Sequence, residues 1–312
     1  MSKAKQKKII WAVDPYGDAK VQASAASLAH SLSLHSDVEV VYVHGTSGLP
    51  FEVERVRKES VRFGLSRAQD RLNKMLSEFK YKPKKKPHIL AHESVYVRMD
   101  VKTLVSYAKK KKADAVLVST NAKTGFMRQV LGSFSETLVL ESAIPTMIVN
   151  PKAKVDTKPG VILFPTDFSN LSWKAFQQVV SFARSTNASI KLFHQYWGGE
   201  AQDVPSDVSY FKDDRWLEGD SLLDEDLQKI KKTLLKWLAF AKKQNVKCSH
   251  EIKFGLRNIA DATLELAKKE NTWMIAMATV TGPLAATFIG SNARWIVRSA
   301  NCPVWVLYVE GK

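Results

Sequence analysis

The spacing of apolar residues alternates short β-type runs with helical periodicity, and the alternation runs through the chain twice. Residues 9–13 form an apolar run that enters Asp14, which predicts a buried strand, and residues 19–34 carry a helical pattern. A second strand is expected at 38–44. Beyond it, Val61, Leu65, Ala68, Leu72, Met75 and Phe79 recur at threes and fours, which places them on one face of a long helix. A third strand is predicted within 89–97, followed by a helix over 101–110 with Asp100 as its N-cap. Strands at 115–119 and 146–149 then flank a helix that opens after Gly132-Ser133.

The second half repeats this order. Strands are predicted at 161–165 and 189–194 around a helix at 173–185. An acidic, loop-like stretch then leads into an amphipathic helix marked by Leu223, Leu227, Ile230, Leu234, Leu238 and Ala241. Segments 247–254, 259–268, 273–278, 290–299 and 304–309 complete the set. Strand–helix alternation of this kind predicts two α/β domains with mainly parallel sheets. Residues 153–159 are polar and proline-containing, and read as a linker between domains at 1–152 and 160–312.

One segment makes the duplication explicit. Residues 130–149 read VLGSFSETLVLESAIPTMIV and residues 288–307 read FIGSNARWIVRSANCPVWVL. Gly132-Ser133 and Gly290-Ser291 are followed at identical offsets by Val139 or Val297 and by Pro145 or Pro303. Gly-Ser ahead of an apolar-periodic helix leaves backbone N–H groups free for an anion such as phosphate, or simply caps the helix through serine. In parallel sheets ligands lie beyond the carboxyl ends of the strands, where Asp14, Asp167 and both Gly-Ser helices belong.

Composition narrows the function. The chain has 312 residues, 45% of them apolar, and lacks any run near the roughly 18 apolar residues of a membrane helix. Its basic start enters an Asp-terminated strand, so a cytoplasmic protein is expected. Cys248 and Cys302 stand far apart without a metal-ligand spacing, and Cys302 reads as a reduced core residue. The net charge of +16 is uneven: residues 1–157 hold 27 Lys/Arg against 15 Asp/Glu, leaving +12 there and +4 beyond. Much of the excess lies in Lys82 to Lys86 and in Lys109 to Lys112, which suit a solvated loop and a helix C-terminus. A polyanion such as RNA, held by the basic first domain, is the alternative. His44 and His194 each end a second strand with no nucleophile motif beside them. No triad or paired-carboxylate signature is present, so neither catalytic residues nor metal ligands are assigned.

At these residues the chain resembles the universal stress protein family in its tandem form. VILFPTDFSNLSWKAF is similar to the family's first strand and turn, and NAKTGFMRQVLGSFSETL to its phosphate loop and following helix. The resemblance implies a five-stranded parallel, Rossmann-like sheet in each half and an intramolecular pseudo-dimer. It further implies that ATP-binding members hold adenine at the ends of strands one and two. Ribose and phosphates would follow along a G-2x-G-9x-G-(S/T) stretch. Carried onto the first copy, that pattern falls on Asp14, Val43, Ser119, Ala122, Gly132, Ser133 and Ser135. In the second copy it falls on Pro165, Thr166, Asp167, Gln195, Gly290 and Ser291. Ser119 and Ala122 replace the two leading glycines by small residues. In the second copy the leading glycines fall on Met277 and Val280, bulky residues whose Cβ and side chain obstruct close passage of backbone past a ligand, or are displaced by a deletion.

The expectation is a non-catalytic stress-response regulatory or binding protein with degenerate nucleotide sites. ATP remains a cofactor for the first copy alone. Alternatives are an ATP-binding switch or weak ATPase using the first site, and a basic scaffold for RNA or another acidic partner. The apolar strand ending each half predicts that residues 1–152 and 158–312, expressed separately, are insoluble or self-associate. Two monomeric, cooperatively unfolding halves in sedimentation and denaturant titration would overturn the pseudo-dimer.

Overall fold

In the computed structural model, described residues are 6–46, 54–120, 133–196, 225–254, 258–281 and 290–310. They form two compact units, the first ending at Lys158 and the second beginning at Pro159. In the first unit, β1 (Lys7–Ala12), β2 (Ser36–Gly45), β3 (His88–His92), β4 (Ala115–Ser119) and β5 (Thr146–Val149) alternate with four helices. These are α1 (Ala19–Ser33), α2 (Glu54–Glu78), α3 (Val97–Lys110) and α4 (Ser133–Glu141). Every neighbouring strand pair in the order β3-β2-β1-β4-β5 is parallel. Ile9, Ile10 and Trp11 of β1 are buried, as befits a central strand covered on both faces.

The second unit repeats the plan. Its strands are β6 (Val161–Pro165), β7 (Ser189–Tyr196), β8 (Cys248–Phe254), β9 (Met274–Thr281) and β10 (Val304–Glu310). Its helices are α5 (Asn170–Thr186), α6 (Glu225–Lys243), α7 (Ile259–Lys269) and α8 (Ser291–Ser299). The order β10-β9-β6-β7-β8 is again parallel. The five-stranded doubly wound domain expected of each half is therefore observed. In each, chain order reverses beside the first strand, between β1 and β4 and between β6 and β9, which opens a crevice at the strands' carboxyl ends.

Local chemistry explains the boundaries. Asp18 caps α1 by accepting from the Lys20 and Val21 amides, and Ser169 caps α5 by accepting from Ser172 N. Asn187 ends α5 in the left-handed conformation, at φ 57°. Two expectations fail here. Asp100 is not an N-cap: β3 stops at His92 and α3 starts at Val97, so Asp100 sits inside the first turn. Ser291 does not cap α8 either, because Gly290 holds that position without a side-chain hydrogen bond. Early winding of α3 is what turns Asp100 toward the strand ends.

Around β2, buried Glu39 accepts from the Tyr107 hydroxyl and lies 3.4 Å from His88 Nε2, so the carboxylate joins β2, β3 and α3. The second unit likewise buries Glu251, 3.4 Å from Lys191 Nζ, and adds a larger aromatic cluster. Trp237 of α6 stacks on Phe176 at 4.8 Å and meets Trp173 and Phe168 at 5.3 and 5.2 Å. Cys302 is buried and its thiol is pushed up to about 12 by that burial, consistent with an inert reduced core residue. Truncating Trp237 to alanine should cost about 3–5 kcal/mol, since the cavity would open between two helices and a sheet. Denaturant unfolding read on wild type and Trp237→Ala tests this, and an unchanged midpoint would refute the packing account.

Candidate functional site

The end of β1 is held by a ladder bond from Val13 N to Val41 O, at 2.9 Å, and by a turn built on Asp14. One carboxylate oxygen, Oδ1, accepts from Tyr16 N at 2.9 Å, while the Asp14 carbonyl accepts from Gly17 N at 3.1 Å. These bonds fix the carboxylate at the rim of a cleft of about 360 Å³. The size lies at the small end of the roughly 300–1,000 Å³ typical of small-molecule sites.

Six elements supply the walls: Ala12 ends β1 and Val13 and Asp14 follow it, Val41 to Val43 come from β2, and Val118 and Ser119 from β4. Gln22 projects from α1, Val97 and Asp100 from α3, and Phe134 and Ser135 from α4. Of the sequence candidates, Asp14, Val43, Ser119 and Ser135 thus meet in one cavity at the strand-order reversal. Ser133 is the first residue of α4. Ala122 and Gly132 fall outside the described residues, as does the loop between them.

Three wall residues escaped the sequence reading. Tyr42 shares β2 with Val43, and burial, then the charges of Asp14, Tyr16 and Asp100, hold its phenol protonated far above the ordinary range. Asp100 places Oδ1 2.6 Å from His92 Nε2. Gly45 permits this arrangement, because a Cβ there would collide with the Ser94 carbonyl oxygen and stand 3.3 Å from Asp100 Oδ1. Gln22 is 1% exposed on the mainly apolar inner face of α1, where Ser31 is the other buried polar residue. A lone amide among Val21, Ala25 and Ala26 was the available signal for it. The described wall carries two carboxylates and no lysine or arginine.

The second copy places its counterparts differently. Thr166 N donates to Phe193 O at 2.8 Å, as Val13 N does to Val41 O, so Asp167 matches Asp14 and Gln195 matches Val43. Asp167 Oδ1 accepts from Ser169 N at 3.0 Å and from the Ser172 hydroxyl at 2.5 Å. Burial alone would raise this carboxyl, but the donated hydrogen bonds prevail and hold it below its usual value. Phe168 adopts φ 57° and packs 5.1 Å from His194, at the register of Tyr42. His194 Nδ1 lies 2.7 Å from the carbonyl oxygen of Thr166. Counted from the cap, Gln22 of α1 corresponds to Trp173 of α5, which meets Phe240 at 5.0 Å. Pro165 ends β6, Gln195 is buried, and Gly290-Ser291 opens α8 with Ser291 exposed. Met277 and Val280 both lie in β9, which runs to Thr281. By register Ala278, not Met277, stands at the level of Ser119.

Three lysines of the first basic run touch neighbouring groups of the protein. Lys85 pairs with Asp37 at 2.7 Å, while Lys82 and Lys84 donate to the Ser77 and Ser33 carbonyls. Among the described residues no helix is long and apolar enough to cross a membrane.

Two doubly wound domains in tandem define a duplicated parallel-sheet α/β protein. Comparison makes the assignment specific. The universal stress protein family model matches residues 6–150 and again 160–307. A universal stress protein of Methanocaldococcus jannaschii is 28% identical over 152 residues, covering 46% of this chain and 82% of that protein. A solved universal stress protein of Archaeoglobus fulgidus superposes with TM-score 0.61 at 13% identity, over 98% of this chain and 99% of the other. A functionally unknown protein of Pseudomonas aeruginosa gives 0.58 at 13% identity, over 97% and 93%. The chain belongs to the universal stress protein family and carries two of its domains.

Burial lowers the pKa of His194, against the opposing bond to Thr166 O and the charge of Asp167. The unfolded chain, with a histidine near 6.5, therefore takes up the proton first. Stability from this group is complete above that value and is lost as pH falls through the folded one. His44 is lowered in the same direction by burial. Thermal midpoints of wild type should drop between pH 7 and 5, and the drop should shrink in His194→Gln. Parallel profiles would show that His194 does not contribute.

Proposed function

We propose that the chain is a non-catalytic, stress-response regulatory protein whose first domain binds a nucleoside-type ligand and whose second domain does not. The cleft between the ends of β1, β2 and β4 carries this reading, because Asp14, Val43, Ser119 and Ser135 converge there from four elements. Val43 supplies the apolar contact that the family resemblance implies for adenine, and Asp14 an acceptor already oriented by its turn. In the second domain, Phe168, Trp173 and Trp237 pack together around the corresponding strand end, and His194 turns back on Thr166. That packing leaves Asp167 a bracing role and makes the second site degenerate. Binding in the first domain would then act as the signal, with no bond made or broken.

Calorimetry of the full chain with adenosine, AMP and ATP tests this reading. Wild type should bind at least one of them, and Val43→Trp, which fills the cleft with an indole, should lose it. Gly290→Val should bind as wild type does, since a Cβ at Gly290 meets nothing within 4 Å. Absence of all binding, or loss in Gly290→Val with retention in Val43→Trp, overturns the assignment.

A further inference from the structure

The two copies treat the amino ends of their strands differently. In the first domain that end carries two carboxylates, each matched by a lysine. Asp37 stands opposite Lys8 in the register and pairs with Lys85 at 2.7 Å. Asp114, whose amide donates to Lys8 O, pairs with Lys7 at 3.0 Å. In the second domain Ser189 stands opposite Val161, and Trp273 N donates to Val161 O. Serine and tryptophan therefore replace the two acids.

A cavity of about 350 Å³ lies at this end of the second domain, beside the first residues of β6 and β7. Arg184 from the last turn of α5, Asn187, Ser189, Asn245 and Lys247 line it, and its described lining holds no carboxylate. Arg184, Asn187, Asn245 and Lys247 are all exposed. Arg184 Nη1 donates to Gln244 Oε1 at 3.1 Å, which ties the end of α5 to that of α6. The nearby helix carbonyls are already used: Ala183 O accepts from Ala188 N at 2.9 Å, and Ala241 O from Val246 N at 3.0 Å. Lys242 and Lys243 stand in the last turn of α6 and face its negative end, so Lys247 is a cation beyond what that dipole calls for. The cavity offers donors and positive charge, with no acid to neutralise them.

We propose that this cavity binds a small phosphate-bearing anion, with Arg184 and Lys247 pairing its oxygens and Asn187, Asn245 and Ser189 donating to them. A guanidinium suits phosphate because its planar donors match the oxygens, and the ammonium adds a point charge. The volume is at the small end of the roughly 300–1,000 Å³ of small-molecule sites. The shared chemistry is a phosphate oxyanion, supplied either by an inorganic oligophosphate or by a small phosphorylated metabolite. The site is in the other domain from the nucleoside-type cleft and does not depend on that reading.

Calorimetry of the full chain with pyrophosphate and with glucose 6-phosphate, at physiological ionic strength, tests the site and separates the sources. Wild type should bind at least one, and the tighter of the two assigns the source. The double variant Arg184→Gln/Lys247→Gln should weaken that binding at least about tenfold, the size expected when charge-assisted hydrogen bonds are lost. Lys268→Gln/Lys269→Gln removes the same charge from the end of α7 and should change it by less than about twofold, which separates the site from the general attraction of a basic chain. Ser189→Asp restores the acid that Asp37 supplies in the first copy and should abolish binding. Thermal midpoints of the variants report that the fold is intact, and the first domain shows that an aspartate is accommodated at that strand position.

Binding of neither anion overturns the proposal. Equal losses in the two double variants overturn it as well, since they reduce the effect to net charge. Binding that survives Ser189→Asp unweakened places the anion elsewhere and has the same consequence.

Discussion

The parallel pairing of each domain's first strand on both sides constrains everything else. β1 lies between β2 and β4, and β6 between β7 and β9, so connections leave the first strand in opposite directions and a crevice opens at its carboxyl end. The residue that follows must turn the chain into a helix while satisfying its backbone groups. Asp14 and Asp167 both do so, by accepting from amides two residues ahead. The turn comes first and any binding role is superimposed on it. The conserved geometry of two strand ends is thus compatible with two different uses.

Those uses diverge through side-chain volume. In the first domain Tyr42, Gln22 and Asp100 are polar and surround open space. In the second, His194, Trp173 and Phe168 occupy the matching or neighbouring positions and touch one another or Trp237. Aromatic packing of this kind contributes more stability than a polar cavity, which must hold unsatisfied groups ready for a ligand. A duplicated protein can divide these demands, one copy providing rigidity and the other a site.

Most of the fold was legible because strands such as Ala115–Ser119, Thr146–Val149 and Val161–Pro165 are bounded apolar runs between turn residues. Helix edges were less so: α3 begins four residues before the expected Val101, because Tyr96 enters the helix without a polar cap to announce it. That shift concealed Asp100, which looked like a cap and is instead tied to His92. Register was also hidden. Counting back from Gly290 selected Met277 for the level of Ser119, whereas pairing with β6 selects Ala278.

The sequence by itself determined the duplication, the alternation of strand and helix, the family, and four residues that meet in the first cleft. The duplication and the alternation depend on periodicity within single elements, which local physics specifies, while the four residues follow from the resemblance to the family's motifs. Only the tertiary structure decided that Gln22, Tyr42 and Asp100 share that cleft, and that aromatics pack around the corresponding strand end in the second domain. Those outcomes depend on distances between elements far apart in sequence. Whether a polar residue is stranded or a tryptophan fills a space is a property of what faces it, and no local pattern carries that information.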